Sequence, residues 1–315
     1  MNKLALVLSG GNSLGIFQAG VCEVLATLKD FANPDIITGT SAGAINAALL
    51  GYGYTPQEMV SFWKEVGHLF YPQLIKQGLF DIFARPFAEL FGKNYNYLLD
   101  TEKLRKLLIK HFKGETLPLL EKTIVLNTVN AKTGQVIRIC NKKIEKPDYI
   151  YEPNFSVDSI LASAAIPVLF KPIERFNTLL WDGGLLVNTP LTPATDFNAN
   201  RIVPVLCSIP DEQADVSTLG NSLSQAFNIM LGRSYDLDRK MLLDKNELSK
   251  FGRKGYGFVD LYSPIRPNSA DNLSAWASFN YGESNLDKLY NVGKDECTKW
   301  FENLKLDSLK TEMNT

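Results

Sequence analysis

Histidine is almost missing from this chain: His68 and His111 are the two in 315 residues. A Ser-His-Asp hydrolase places its histidine after the acid, behind a strand in the distal half. His68 instead precedes an aromatic stretch, and His111 stands at a helix end beside Lys110 and Lys113, where a cap or solvent-exposed role is ordinary. That chemistry is disfavoured, with the reservation that triads are recognised in space rather than by chain order. Cysteine is also sparse. Cys22, Cys140, Cys207 and Cys297 are scattered, with no C-x-x-C pair and no neighbouring histidine, which argues against a zinc or disulfide framework and for free thiols in a reducing compartment. No run approaches the roughly 18 apolar residues of a membrane span, so lipid contact is expected to be peripheral. Charge of one sign is lacking as well: 33 basic side chains face 34 acidic ones, without the long basic block that nucleic acid would call for.

The opening MNKLALVLSGGNSLG holds too short an apolar run for a signal-peptide core and reads better as a first strand. Cytoplasmic residence is the expectation, and a secretion route that needs no N-terminal signal stays open. The strand Lys3 to Leu8 ends at Ser9-Gly10-Gly11, and Leu14, Phe17, Val21 and Leu28 then recur at helical spacing. A second strand, Asp35 to Thr40, is followed by the turn Gly39–Gly43 and a small-residue helix through Leu50. Two strand-turn-helix units put two glycine-rich loops at the C-terminal edges of neighbouring strands, where open α/β sheets keep their sites. Further strands are expected at Thr123–Val129, Val136–Ile139 and Ile202–Cys207. Helices are expected at Leu104–Phe112, Val157–Ala165, Leu223–Leu231 and, on the surface, Ser234–Asn246, with fraying from Thr311. Neither a repeat nor a low-complexity linker divides this single α/β domain with elaborations.

Gly39-x-Ser41-x-Gly43 between strand and helix matches a nucleophile elbow, although a serine there also caps helices. An attacked carbonyl develops negative charge that needs N–H donors. The turn Gly10-Gly11-Asn12 could supply the amides of Gly11 and Asn12, and Ala42 N–H is a third. Phosphate binding is the rival for this turn, but Ile16 and Phe17 stand where a Walker motif needs Lys and Ser/Thr, and G-x-G-x-x-G is absent. With histidine disfavoured, an aspartate in hydrogen-bond reach of the hydroxyl can act as base. The best placed is Asp182, in LLWDGGLLVNTP, whose bland alternative is a polar turn residue. Residues 68–97 are rich in aromatics: Phe80, Phe83, Phe87 and Phe91 recur at helical spacing around Pro86, with Phe70, Tyr71, Tyr95 and Tyr97 nearby. They would cover a site, meet lipid, or pack on the core; periodicity does not separate these. Gly252, Gly255 and Gly257 read as a turn.

Together these parts resemble the patatin-like phospholipases, serine lipid acyl hydrolases with a Ser-Asp dyad. The likeness extends to Ala162-Ser163-Ala164-Ala165-Ile166-Pro167-Val168-Leu169-Phe170, to Gly78–Asp81, and to the D-G-G-x-x-x-N-x-P pattern from Asp182, over roughly residues 3–205. The resemblance implies a three-layer α/β/α fold with a central, mostly parallel sheet. It implies a catalytic domain over 1–205, with 206–315 a C-terminal helical elaboration on the same domain. It makes Ser41 the nucleophile and Asp182 the base, with Gly10, Gly11, Asn12 and Ala42 at the oxyanion hole and Phe80, Phe83, Phe87 and Pro167 at the acyl chain. The implied activity is phospholipase A- or lysophospholipase-like, through an acyl-serine, without metal or other cofactor; no acidic run has the spacing of a calcium loop. Phospholipid or another acyl ester is the implied substrate, with transient membrane contact. The family's loop usually reads Gly-Gly-Gly-x-Arg/Lys-Gly. Here Asn12 replaces the third glycine and Leu14 the basic residue. Leu14 removes a charge, which leaves two alternatives: an esterase or thioesterase on neutral or soluble acyl substrates, or a weakened lipid-binding homologue.

Overall fold

A computed structural model describes residues 2–70, 97–99, 101–118, 120–208, 216–251, 257–268 and 280–313. Strand β1 (Leu4–Leu8) leads through a 3₁₀ turn (Asn12–Leu14) into helix α1 (Gly15–Thr27). Then come β2 (Ile36–Thr40), α2 (Ala42–Gly51), the helical residues 56–70 (α3), β3 (Tyr97–Leu99), α4 (Glu102–Phe112), β4 (Thr123–Asn130), β5 (Val136–Cys140) and β6 (Tyr149–Tyr151). The chain continues with α5 (Val157–Ser163), β7 (Val168–Phe170), β8 (Ile173–Arg175), β9 (Thr178–Asp182), α6 (Leu191–Asp196), β10 (Arg201–Val205), α7 (Leu219–Lys250), β11 (Asp260–Leu261) and α8 (Glu283–Met313).

Among the described residues nine strands form one sheet, ordered β11-β10-β1-β2-β4-β5-β6, with β9 on β4 and β8 on β9; β3 and β7 pair separately. Neighbours from β11 to β4 are parallel, as are β5 and β6, while β5 and β9 run antiparallel to β4. The period of two along β1 sorts its side chains onto two cores. Leu4, Leu6 and Leu8 join the layer holding α1, α2, α5 and α8, whereas Ala5 and Val7 meet α6 and α7. A strand covered on both faces has no need of polar residues, hence the uniformly buried LALVL. The result is the three-layer α/β/α arrangement with a mostly parallel sheet.

Strand β4 positions the site. Its opposite edge is held by β5 from Val125 to Val129, so β2 and β9 share the remaining edge. β2 covers Thr123 to Asn127 and β9 covers Thr128 to Asn130. Running head-on, the two strands end beside each other, Thr40 opposite Asn127 and Asp182 opposite Thr128. Residues 142 positions apart in sequence are thereby brought together by one register.

The structure revises several expectations. The two helices expected at Leu223–Leu231 and Ser234–Asn246 are one 32-residue helix, α7, because nothing between them breaks a helix: Gly232 and Arg233 pass through it. The last helix, α8, runs to Met313. Phe80, Phe83, Phe87, Phe91, Gly78–Asp81, Gly252 and Gly255 lie outside the described residues.

Candidate active site

Ser41 follows β2 directly and has φ 56° and ψ −124°, a conformation that L side chains rarely adopt and that costs roughly 1–3 kcal/mol. The flanking glycines are needed for room. A Cβ on Gly39 would lie 2.2 Å from the Gly43 carbonyl oxygen, and one on Gly43 would lie 2.3 Å from the Leu8 carbonyl oxygen. The positive φ therefore falls on the serine itself, and the glycines let α2 sit against β1 and β2. The Ser41 side chain makes no capping bond to α2. Its hydroxyl instead lies close enough to the Asp182 carboxylate to pull that group's pKa down.

Asp182 is 5% exposed and Ser41 6%. The Asp182 N–H donates to the Ala165 carbonyl at 3.0 Å, and its Oδ1 accepts the Gly184 N–H at 2.7 Å. It is thus a turn residue and a partner of Ser41 at once. Burial pushes its pKa from the ordinary 3.8 up to about 7, against the opposing pull of the Ser41 hydroxyl and the Gly184 N–H. An ordinary carboxylate is a feeble base toward a hydroxyl; this one is matched to neutral pH.

The first glycine turn passes directly over this pair. A Cβ on Gly10 would lie 2.9 Å from Ser41 Cβ and 2.6 Å from Asn188 Oδ1. Asn188, the asparagine of the D-G-G-x-x-x-N-x-P stretch, is 1% exposed and grips the turn twice: its carbonyl and its Oδ1 both accept the Gly10 N–H, at 3.2 and 3.1 Å. The Gly10 N–H is therefore engaged. Gly11 and Asn12 have N–H groups with no backbone partner among the described residues, and Ala42 N–H is one of the unpaired donors that open every helix. Asn12 takes φ 51°, which asparagine tolerates better than most residues, so the chain keeps the turn without a third glycine. Leu14 is 1% exposed and belongs to the core beside α1, so this position contributes packing and no charge.

A buried polar network that the sequence did not announce holds the turn from below. Gln18 Nε2 donates to the Ser9 carbonyl at 2.7 Å, and its Oε1 accepts from Asn46 Nδ2 at 2.8 Å. Asn46 also donates to the Gly15 carbonyl and accepts from Trp63 Nε1, each at 2.8 Å. Ser9 Oγ accepts the Cys207 N–H at 2.7 Å. Spaced at 18, 46 and 63, these residues share no motif; helical phase alone marks them as inward-facing.

The histidines are elsewhere. His111 Nδ1 lies 3.0 Å from the Tyr54 hydroxyl and its Nε2 3.3 Å from Glu65, while His68 is exposed on α3. Pro167 is half-buried immediately before β7, two residues after Ala165. Among the described residues, no three or more His, Cys, Asp or Glu side chains gather as metal ligands, and no helix is long and apolar enough to cross a membrane.

A three-layer α/β/α fold with an elbow serine beside a distal buried aspartate defines a hydrolase-type fold. Residues 6–195 match the family model described as patatin-like phospholipase, and the chain belongs to that family. It is 27% identical over 253 residues to a cGAMP-activated phospholipase of Vibrio cholerae, covering 73% of this chain and 68% of that protein. It is 29% identical over 278 residues to a cGAMP-activated phospholipase of Pseudomonas aeruginosa, covering 85% and 73%. A probable lipid hydrolase of Invertebrate iridescent virus 6 is 28% identical over 203 residues, covering 62% and 64%. Among solved structures, VipD from Legionella pneumophila aligns with 96% of this chain and 67% of its own, at 16% identity and a TM-score of 0.47. Membership makes lipid acyl-ester hydrolysis the general activity.

Proposed function

We propose that the protein is a phospholipase A- or lysophospholipase-like hydrolase working through Ser41 and Asp182. The observation that carries this reading is the placing of the Ser41 hydroxyl beside the buried Asp182 carboxylate by one register on β4, inside the segment that matches the family. Ionised Asp182 takes the hydroxyl proton as Ser41 Oγ attacks the ester carbonyl. The N–H groups of Gly11, Asn12 and Ala42 hold the resulting oxyanion, each such donor being worth roughly 3 kcal/mol. Gly10 contributes its lack of a side chain, which lets the turn close on Ser41. The tetrahedral adduct collapses to acyl-Ser41, and the proton on Asp182 goes to the departing alcohol or lysolipid. Asp182 then deprotonates water, which releases the acid and restores the serine.

The two bacterial relatives named as phospholipases support a phospholipid substrate, and the apolar Leu14 supports activity on neutral esters as well. Val168 and Leu186, both about half exposed and on the segments that flank Ala165 and Asp182, are among the described apolar side chains that would meet an acyl chain or lipid surface. Four buried free cysteines support a reducing, cytoplasmic setting.

The test is hydrolysis of a graded series of acyl esters and phospholipids, with and without cGAMP, by the wild type and the S41A and D182A variants. Both variants should lose at least ~10³-fold in kcat with unchanged folding. Activity surviving in D182A would contradict the dyad and return attention to His68 and His111. Faster turnover of neutral esters than of phospholipids would favour the esterase alternative, and failure of a fluorophosphonate to label Ser41 the non-catalytic one.

A further inference from the structure

Ser163 lies at the C-terminal end of α5, fully buried, in the Ala-Ser-Ala-Ala-Ile-Pro stretch. Nothing in the scheme above uses it. Its Oγ accepts the backbone N–H of Ser41 at 3.0 Å and donates to the backbone carbonyl of Asn127 at 2.6 Å. Asn127 is the β4 residue opposite Thr40, the last residue of β2. At Ser41 the chain turns away from β4, and this hydroxyl bridges the gap where a continuing ladder would join strand to strand directly. A third segment meets the same spot: a Cβ on Gly183 would lie 2.4 Å from that Asn127 oxygen.

The elements that present Ser41, Asp182 and Ser163 thus converge on one carbonyl of β4. A hydroxyl suits the post because it accepts and donates at once, and no aliphatic side chain can do so. Without it, the Ser41 N–H and the Asn127 carbonyl would both be buried and unpaired, which is costly for each. The elbow's positive φ at Ser41 also needs surroundings that hold it. Full burial, with its one proton directed at a backbone carbonyl, rules Ser163 out as a nucleophile.

We propose that Ser163 is a positioning residue: its hydroxyl, spliced between β2 and β4, fixes the elbow so that Ser41 Oγ stays aligned on Asp182. This rests on the Ser41–Asp182 reading. The interaction acts on the orientation of the nucleophile and makes no contact with an acyl chain, so it belongs in kcat and leaves KM nearly alone.

The experiment compares steady-state hydrolysis of a short-chain acyl ester, and the rate of fluorophosphonate labelling, in wild type and in the S41A, S163A, S163C and S163T variants, with thermal unfolding as a folding check. S163A should lower kcat and the labelling rate about 10²-fold, the scale of an ångström-level misplacement, with KM within about threefold. S163T, which retains the hydroxyl, should recover to within about tenfold of wild type. S163C fills the site but bonds weakly, and should fall at least about tenfold; it carries the test if S163A does not fold. Wild-type kcat in S163A or S163C would overturn the proposal, as would equal loss in S163T and S163A, or a change confined to KM. The S41A control separates the two levels. If S41A is inactive while S163A is fully active, only the positioning role falls; if S41A is as active as wild type, the dyad reading falls and takes this role with it.

Discussion

The two glycine-rich turns follow adjacent parallel strands and lie in van der Waals contact, yet they do opposite things. The turn after β1 offers backbone: Gly11 and Asn12 present N–H groups, and Gly10 is bare so that the chain can approach Ser41. The turn after β2 offers a side chain and has its own Ser41 N–H tied off. Each is fastened by one fully buried residue from the distal half, Asn188 on the first and Ser163 on the second. Either turn alone is a common α/β feature. The difference between them, free backbone N–H groups on one side and a presented hydroxyl on the other, goes with which backbone groups those residues hold.

The largest effect expected from disturbing this contrast is on stability. Asp182 has a folded-state pKa of about 7 against an ordinary 3.8, so between those values the folded chain binds a proton that the unfolded chain has lost. Stability linked to this group is therefore full below the lower value and falls as pH rises through about 7. The difference of roughly three units, at 1.36 kcal/mol each, bounds the loss at roughly 4 kcal/mol. D182N should exceed wild type in denaturant stability at pH 8 by up to that amount, with the gap nearly closed at pH 4. Equal stability of the two at pH 8 would show that the carboxylate is not buried as described. Loosening the first turn comes next. N188A removes the side-chain half of the grip on Gly10 and leaves only the backbone carbonyl at 3.2 Å, and should lower kcat by up to about 10²-fold, as loss of oxyanion donors does, while Ser41 remains open to labelling. Retained kcat would mean that the turn is rigid without its clamp. The smallest change is expected from N12G, since asparagine already adopts the turn's φ of 51°: kcat should stay within about threefold of wild type. A large gain would show that the missing third glycine matters.

Much of the site was legible in advance because glycines and acids at turns carry local signals. GTSAG and DGG could be read as an elbow and a cleft carboxylate, and the strands β1, β2, β4 and β10 by their apolar runs. Their meeting could not be read, since it depends on β9 taking over the edge of β4 where β2 stops, a matter of register between distant strands. β9 itself is five residues with mixed burial and gives no clean alternation. The clamps were equally silent: Ser163 and Asn188 lie in stretches that were noticed, but which backbone group each would hold is a property of packing. The raised pKa of Asp182 arises the same way, from burial that no local pattern encodes.

The most direct test of the Ser41–Asp182 pairing is the rate of covalent labelling of Ser41 by a fluorophosphonate across pH 5 to 9, in wild type and in D182N. The wild-type rate should climb through a midpoint near the Asp182 pKa of about 7 and level off above it, while D182N stays slow and flat. Matching profiles for the two proteins would contradict the pairing.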